Sequence, residues 1–145
     1  MPTERGPRPS AAAPIEGLLD LCTVRDLAEC GGDAGPAFAL ELLEMFAAEA
    51  RRALLRMRVC AWLGDMRALA REAHRLKGSS ASMGAARLAA ECAELERRAW
   101  GERSLGLEAR VEQALGVLEA TREGMLRCHC LFPNAERCSN IETVM

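Results

Sequence analysis

The chain is 145 residues long, half of them apolar, with only 3% aromatic residues and a formal net charge of −2. That is the size of one small domain with one modest core. Arg and Glu are interspersed, so there is no basic stripe for a nucleic-acid partner, and no apolar run approaches the roughly 18 residues of a membrane span.

Residues 1–14 (MPTERGPRPSAAAP) carry Pro, Gly and charge but no apolar signal-peptide core, and are expected to be a disordered segment of a protein that stays inside the cell. Residues 15–127 read as helical. Residues 128–145 lose all periodicity and read as a flexible tail.

Within the helical region the glycines mark the divisions. A short first helix is expected over Thr23–Cys30, with Thr23 as N-cap and Gly31-Gly32 ending it. A long helix follows from Pro36, a first-turn residue, to Ala61. Its residues Ala39, Leu42, Leu43, Phe46, Ala50, Ala53, Leu54, Met57 and Ala61 share one face. The next helix starts near Gly64-Asp65 and runs to Met83, with Met66, Leu69, Ala73, Leu76, Ser80 and Met83 in an a/d stripe. Gly84 breaks it, and Ala85, Leu88, Cys92, Leu95 and Ala99 form the stripe of a fourth helix. After a loop near Gly101–Gly106, a last helix carries Leu107, Val111, Ala114, Leu118, Thr121 and Met125. Four amphipathic helices with short connections predict an all-α, antiparallel up-down bundle, with the first short helix across one end.

Seven cysteines are scattered along the chain. Cys22, Cys30, Cys60 and Cys92 fall in or beside helical patterns, where a thiol behaves as a small apolar group. Cys128, His129, Cys130 and Cys138 could suggest zinc, but the Cys-His-Cys run is too tight for the usual ligand spacing, so no metal site is expected. Trp62 and Trp100 are expected to cap the bundle ends, with a docking role as the alternative for Trp62.

Of the two histidines, His129 falls in the tail and His74 is mid-helix. His74 follows Ala73 by one position, so it is turned about 100° from the core stripe, to the bundle rim. Its own stripe is Ala70, His74, Lys77, Gly78 and Ala81, with Arg71 one turn back. A helix-interior Gly costs about 1 kcal/mol relative to Ala, so Gly78 needs a reason, and access of a partner to the imidazole supplies one. Lys77 can neutralise a dianion on the ring, and a neutral imidazole is a competent nucleophile near neutral pH. Arg71 is a weaker second cation. Ser79 and Ser80 read as packing residues.

The run AHRLKGSSASMGAARLAAECAEL resembles the signature of histidine-containing phosphotransfer (HPt) proteins, in His74, Leu76, Lys77, Gly78, Ser79, Ser80, Met83 and Gly84. The resemblance extends more loosely from Leu18 to Met125, and GSSASMGAARLAAEC looks closest to the plant-type members. It implies that His74 accepts a phosphoryl group from a receiver-domain aspartate of a hybrid histidine kinase and passes it to a response regulator. It implies access and docking roles for Gly78, Arg75 and Ala81. It also implies no cofactor on this chain, since magnesium and the acidic pocket belong to the receiver, and the sequence has no ATP-binding motif. Some relatives place a Gln on the neighbouring helix near the phosphohistidine. Here the position is Glu96, a candidate for orienting the imidazole by accepting its N–H, although its charge would repel a phosphoryl group. Val24 and Leu27 could serve docking or packing. A monomer is expected, cytoplasmic and, on the plant-type resemblance, also nuclear. The competing readings are a bundle that binds receivers or kinases without transfer, and a redox or metal sensor using the tail cysteines.

Overall fold

The computed structural model describes residues 17–30, 32, 35–101 and 105–128. The N-terminal segment 1–14, and all of the expected tail except Cys128, lie outside them. The described residues form five helices: α1 (Leu21–Cys30), α2 (Gly35–Leu63), α3 (Met66–Ser82), α4 (Ala86–Trp100) and α5 (Leu107–Leu126). The sequence pattern places every helix within about two residues of these bounds.

Helices α2 to α5 form a ring in which α2 packs on α3 and α5, and α4 packs on α3 and α5. Every residue of the α4 and α5 stripes is buried, from Ala85 to Ala99 and from Leu107 to Met125. From α3 the core takes Leu69, Ala70, Ala73, Leu76 and Ser80. Each buried Leu removes enough apolar surface from water to stabilise the fold by roughly 1.5–3 kcal/mol. Small residues at Ala50, Ala53, Ala73 and Ala114 let the helices approach closely.

Three ion pairs fix the direction of α2 against α5: Glu44–Arg122 at 3.1 Å, Arg51–Glu119 at 3.1 Å, and Arg58–Glu112. The α2 partners rise in number at heptad spacing while the α5 partners fall, so the two helices are antiparallel. Exposed pairs of this kind contribute at most about 1 kcal/mol each, so they set register more than stability.

The connections at the two ends of α3 each turn on a left-handed glycine, Gly64 (φ 79°) and Gly84 (φ 80°). At the start of α3 the Asp65 side chain accepts a hydrogen bond from Ala68 N at 3.2 Å, the N-cap of the helix that carries His74. Asp65→Ala is expected to lower stability by about 1 kcal/mol, read as a lower urea midpoint.

The cap of α1 differs from the sequence expectation. Asp20, not Thr23, accepts the amide hydrogens of Cys22 and Thr23 on Oδ1, and the Thr23 hydroxyl donates to Asp20 Oδ2 at 2.9 Å. The helix therefore begins two residues earlier. It packs on α2 at the α3–α4 end of the bundle. Asp20 N donates to Gly84 O at 2.8 Å and Arg87 N donates to Leu18 O at 3.1 Å, tying the α1 approach to the α3–α4 turn. Val24 is fully buried beside Gly84, and half-buried Leu27 faces Ala39, Leu43 and Met125, so both serve packing. Cys128 also packs into the core.

Candidate functional site

The capped, buried stripe of α3 fixes where its outer residues stand. His74 follows the fully buried Ala73, and its side chain is 65% exposed at the seam between α3 and α4. Glu96 of α4 faces it across that seam. Glu96 Oε2 lies 3.0 Å from His74 Nδ1, and Glu96 Oε1 accepts from Lys77 Nζ at 3.0 Å. One carboxylate thus holds both the imidazole and the ammonium.

The Lys77 hydrogen bond, and after it the His74 contact, hold the Glu96 carboxyl below the usual carboxylate range, against partial desolvation. Glu96 is therefore ionised near neutral pH and can only accept hydrogen bonds. In the neutral imidazole the hydrogen must then sit on Nδ1, which leaves the Nε2 lone pair free. This is the tautomer a nucleophilic attack through Nε2 requires.

Beside the imidazole is an open hollow of about 310 Å³ lined by Ala70, Arg71, His74, Arg75, Glu96 and Trp100. Arg71 is exposed and has no ion pair among the described residues. Arg75 reaches the other way, to Glu72 at 3.2 Å, and Arg56 of α2 binds the same carboxylate. The Arg75 carbonyl accepts from Ser79 Oγ at 3.3 Å. A Cβ on Gly78 would meet nothing within 4 Å, so packing within the chain does not require glycine there. Ala81 is exposed one turn further along α3.

Neither tryptophan caps a bundle end by burial. Trp62 is 76% exposed and lines a separate hollow with Arg58, Val59 and Glu108, while Trp100 is 62% exposed and stands beside His74. Glu96 and Trp100 are four apart on α4, so the α3–α4 register that puts Glu96 against His74 puts Trp100 on the same side. That spacing was the available signal for Trp100.

The Hpt domain family profile matches residues 41–125. The chain belongs to the Hpt domain family. Hpt domains are phosphocarriers of phosphorelays that work with receiver domains, so this chain functions in histidine phosphotransfer. Among solved structures, this Hpt domain is similar to histidine-containing phosphotransfer protein B (HptB) from Pseudomonas aeruginosa PAO1, at 30% identity and a TM-score of 0.65, over 80% of this chain and 95% of that one. It shares its fold with a histidine-containing phosphotransfer protein from rice, at 22% identity and a TM-score of 0.63, over 81% and 88% of the two chains. Comparison with curated protein sequences gave no match. Among the described residues no helix is long and apolar enough to cross a membrane, and no three His, Cys, Asp or Glu side chains gather as metal ligands.

Proposed function

We propose that His74 is the phosphoryl acceptor, taking the group from a receiver-domain aspartate of a hybrid histidine kinase and passing it to a response regulator. The observation that carries this reading is the single Glu96 carboxylate, which fixes Nδ1 of an exposed imidazole and holds Lys77 beside it. The Nε2 lone pair attacks phosphorus in line with the departing aspartate oxygen. Lys77, one turn along α3 and paired with Glu96, and Arg71 at the hollow are the cations this face offers to the transferred group. The chain needs no cofactor of its own, because magnesium and the acidic pocket come with the receiver. The plant-type resemblance extends the proposal to hormone-type (cytokinin) signalling, with movement between cytoplasm and nucleus, by a monomer that binds neither nucleic acid nor membrane.

Incubation with a phosphorylated receiver domain tests this. The protein is expected to gain an acid-labile, base-stable phosphoryl group. Stable receiver binding without any transfer would favour the non-catalytic alternative.

Gly78 and Trp100 make the docking side of the proposal specific. Gly78→Ala is expected to raise stability by about 0.5–1 kcal/mol, since the methyl group enters open space and the helix gains propensity. The same variant is expected to slow transfer roughly tenfold, because the partner must approach over that position. A urea titration and a transfer time course read the two signs. Trp100→Ala is expected to weaken receiver binding at least about tenfold, as loss of an aromatic anchor does. Trp62→Ala, in the other hollow, is expected to leave affinity unchanged. Calorimetric titration with one receiver compares the pair, and equal effects would remove Trp100 from the docking surface.

A further inference from the structure

We propose that Glu96 acts through its charge as well as its hydrogen bond: it keeps the proton on His74 Nδ1 while Nε2 carries a phosphoryl group, so that transfer in either direction requires no proton movement. The inference rests on His74 being the phosphoryl acceptor.

A hydrogen bond to Nδ1 needs only an acceptor, and an amide oxygen would serve. A carboxylate at 3.0 Å adds a full negative charge beside the ring. Its consequence appears once the bonds are followed. When Nε2 attacks, the P–Nε2 bond forms and the P–O bond of the donor acyl phosphate breaks, its electron pair staying on the donor carboxylate. The ring now bears hydrogen on Nδ1 and phosphorus on Nε2, and is positively charged. Loss of the Nδ1 proton would leave an anionic imidazolate as the leaving group in the next step, a much poorer one. Glu96 opposes that loss. In onward transfer the acceptor aspartate oxygen attacks phosphorus, the P–Nε2 pair returns to Nε2, and neutral imidazole departs with its Nδ1 hydrogen still in place.

The other carboxylate oxygen works in the same direction. Lys77 is already neutralised by Glu96 at 3.0 Å before a phosphoryl group arrives. The dianion therefore meets a neutral Lys77–Glu96 pair rather than a free cation, and is held less tightly. Among the described residues, the other charged side chains lining the hollow at the ring are Arg71 and Arg75 on α3, and Arg75 is tied to Glu72, which also binds Arg56 of α2 and through it Glu49. The Cys92 thiol of α4, pushed up to about 12 by burial, stays neutral. Glu96 thus makes His74 a quick relay point rather than a phosphoryl store.

The test labels wild type and Glu96→Gln with phosphoramidate, a small-molecule donor that needs no receiver, and follows loss of phosphoryl from His74 across acid to alkaline pH. Gln keeps an acceptor for Nδ1 and removes the charge. The midpoint of the Gln profile is expected about one pH unit below that of wild type, and at mildly alkaline pH the variant is expected to keep its phosphoryl group roughly tenfold longer. Superimposable profiles would overturn the proposal and leave Glu96 an orienting residue only. Should Glu96→Gln fail to fold, Lys77→Gln carries the test: the carboxylate is then undivided, its midpoint is expected to rise, and an unchanged or lower midpoint counts against the proposal. Labelling by phosphoramidate but never by a phosphorylated receiver would instead break the relay reading, while the comparison of profiles would still stand.

Discussion

Replacing His74 with Gln is expected to reduce phosphoryl acceptance to background while the bundle stays folded. The side chain is 65% exposed, so its loss opens no cavity. The neighbours that hold α3 in place, Ala73 and Leu76, are buried and untouched. Glu96 keeps Lys77 as a partner and is not stranded. Stability should therefore change by no more than about 0.5 kcal/mol, as for other surface substitutions. Circular dichroism and a thermal melt check the fold, and radiolabel transfer from a receiver checks the chemistry. Labelling of the folded variant at the wild-type level would place the acceptor elsewhere.

The largest effect on stability is expected at Gly84. Its φ of 80° is strained for any residue with a Cβ, and that Cβ would stand 2.8 Å from Val24 Cγ2 and 3.1 Å from the Asp20 carbonyl oxygen. The strain costs about 1–3 kcal/mol and the overlap adds a similar amount, so Gly84→Ala should lose roughly 2–6 kcal/mol. The urea midpoint should fall, and α1 should loosen first because Asp20 and Leu18 are bonded to this turn. The folded fraction should still transfer phosphoryl groups. Gly78→Ala moves stability the other way. Two glycines of one motif therefore do different work: Gly84 is needed by its own chain, and Gly78 by what approaches it.

Much of this was legible because helix packing writes itself as periodicity. Every residue of the α4 and α5 stripes, read from spacing alone, is buried in the structure, and α5 buries Gly124 besides. His74 could be placed at the rim because it stands one residue off such a stripe. What spacing does not contain is the relation between helices. The heptad of Glu44, Arg51 and Arg58 becomes meaningful only when α5 supplies Arg122, Glu119 and Glu112 in reverse order. The Glu96–His74 contact depends on the α3–α4 register, which spacing along one helix does not contain, so the stripe of α4 alone neither pairs Glu96 with His74 nor brings Trp100 to the site. The cap of α1 went to Asp20 instead of Thr23 because two good capping residues stand three apart, and the chain path past Gly84 selects between them.

The most direct test is where the phosphoryl group sits. After transfer from a phosphorylated receiver, ¹⁵N and ³¹P NMR of the wild-type protein should show one phosphorylated imidazole, that of His74, with phosphorus on Nε2 and hydrogen on Nδ1. Phosphorus on Nδ1, or on a side chain other than His74, would contradict the geometry set by Glu96.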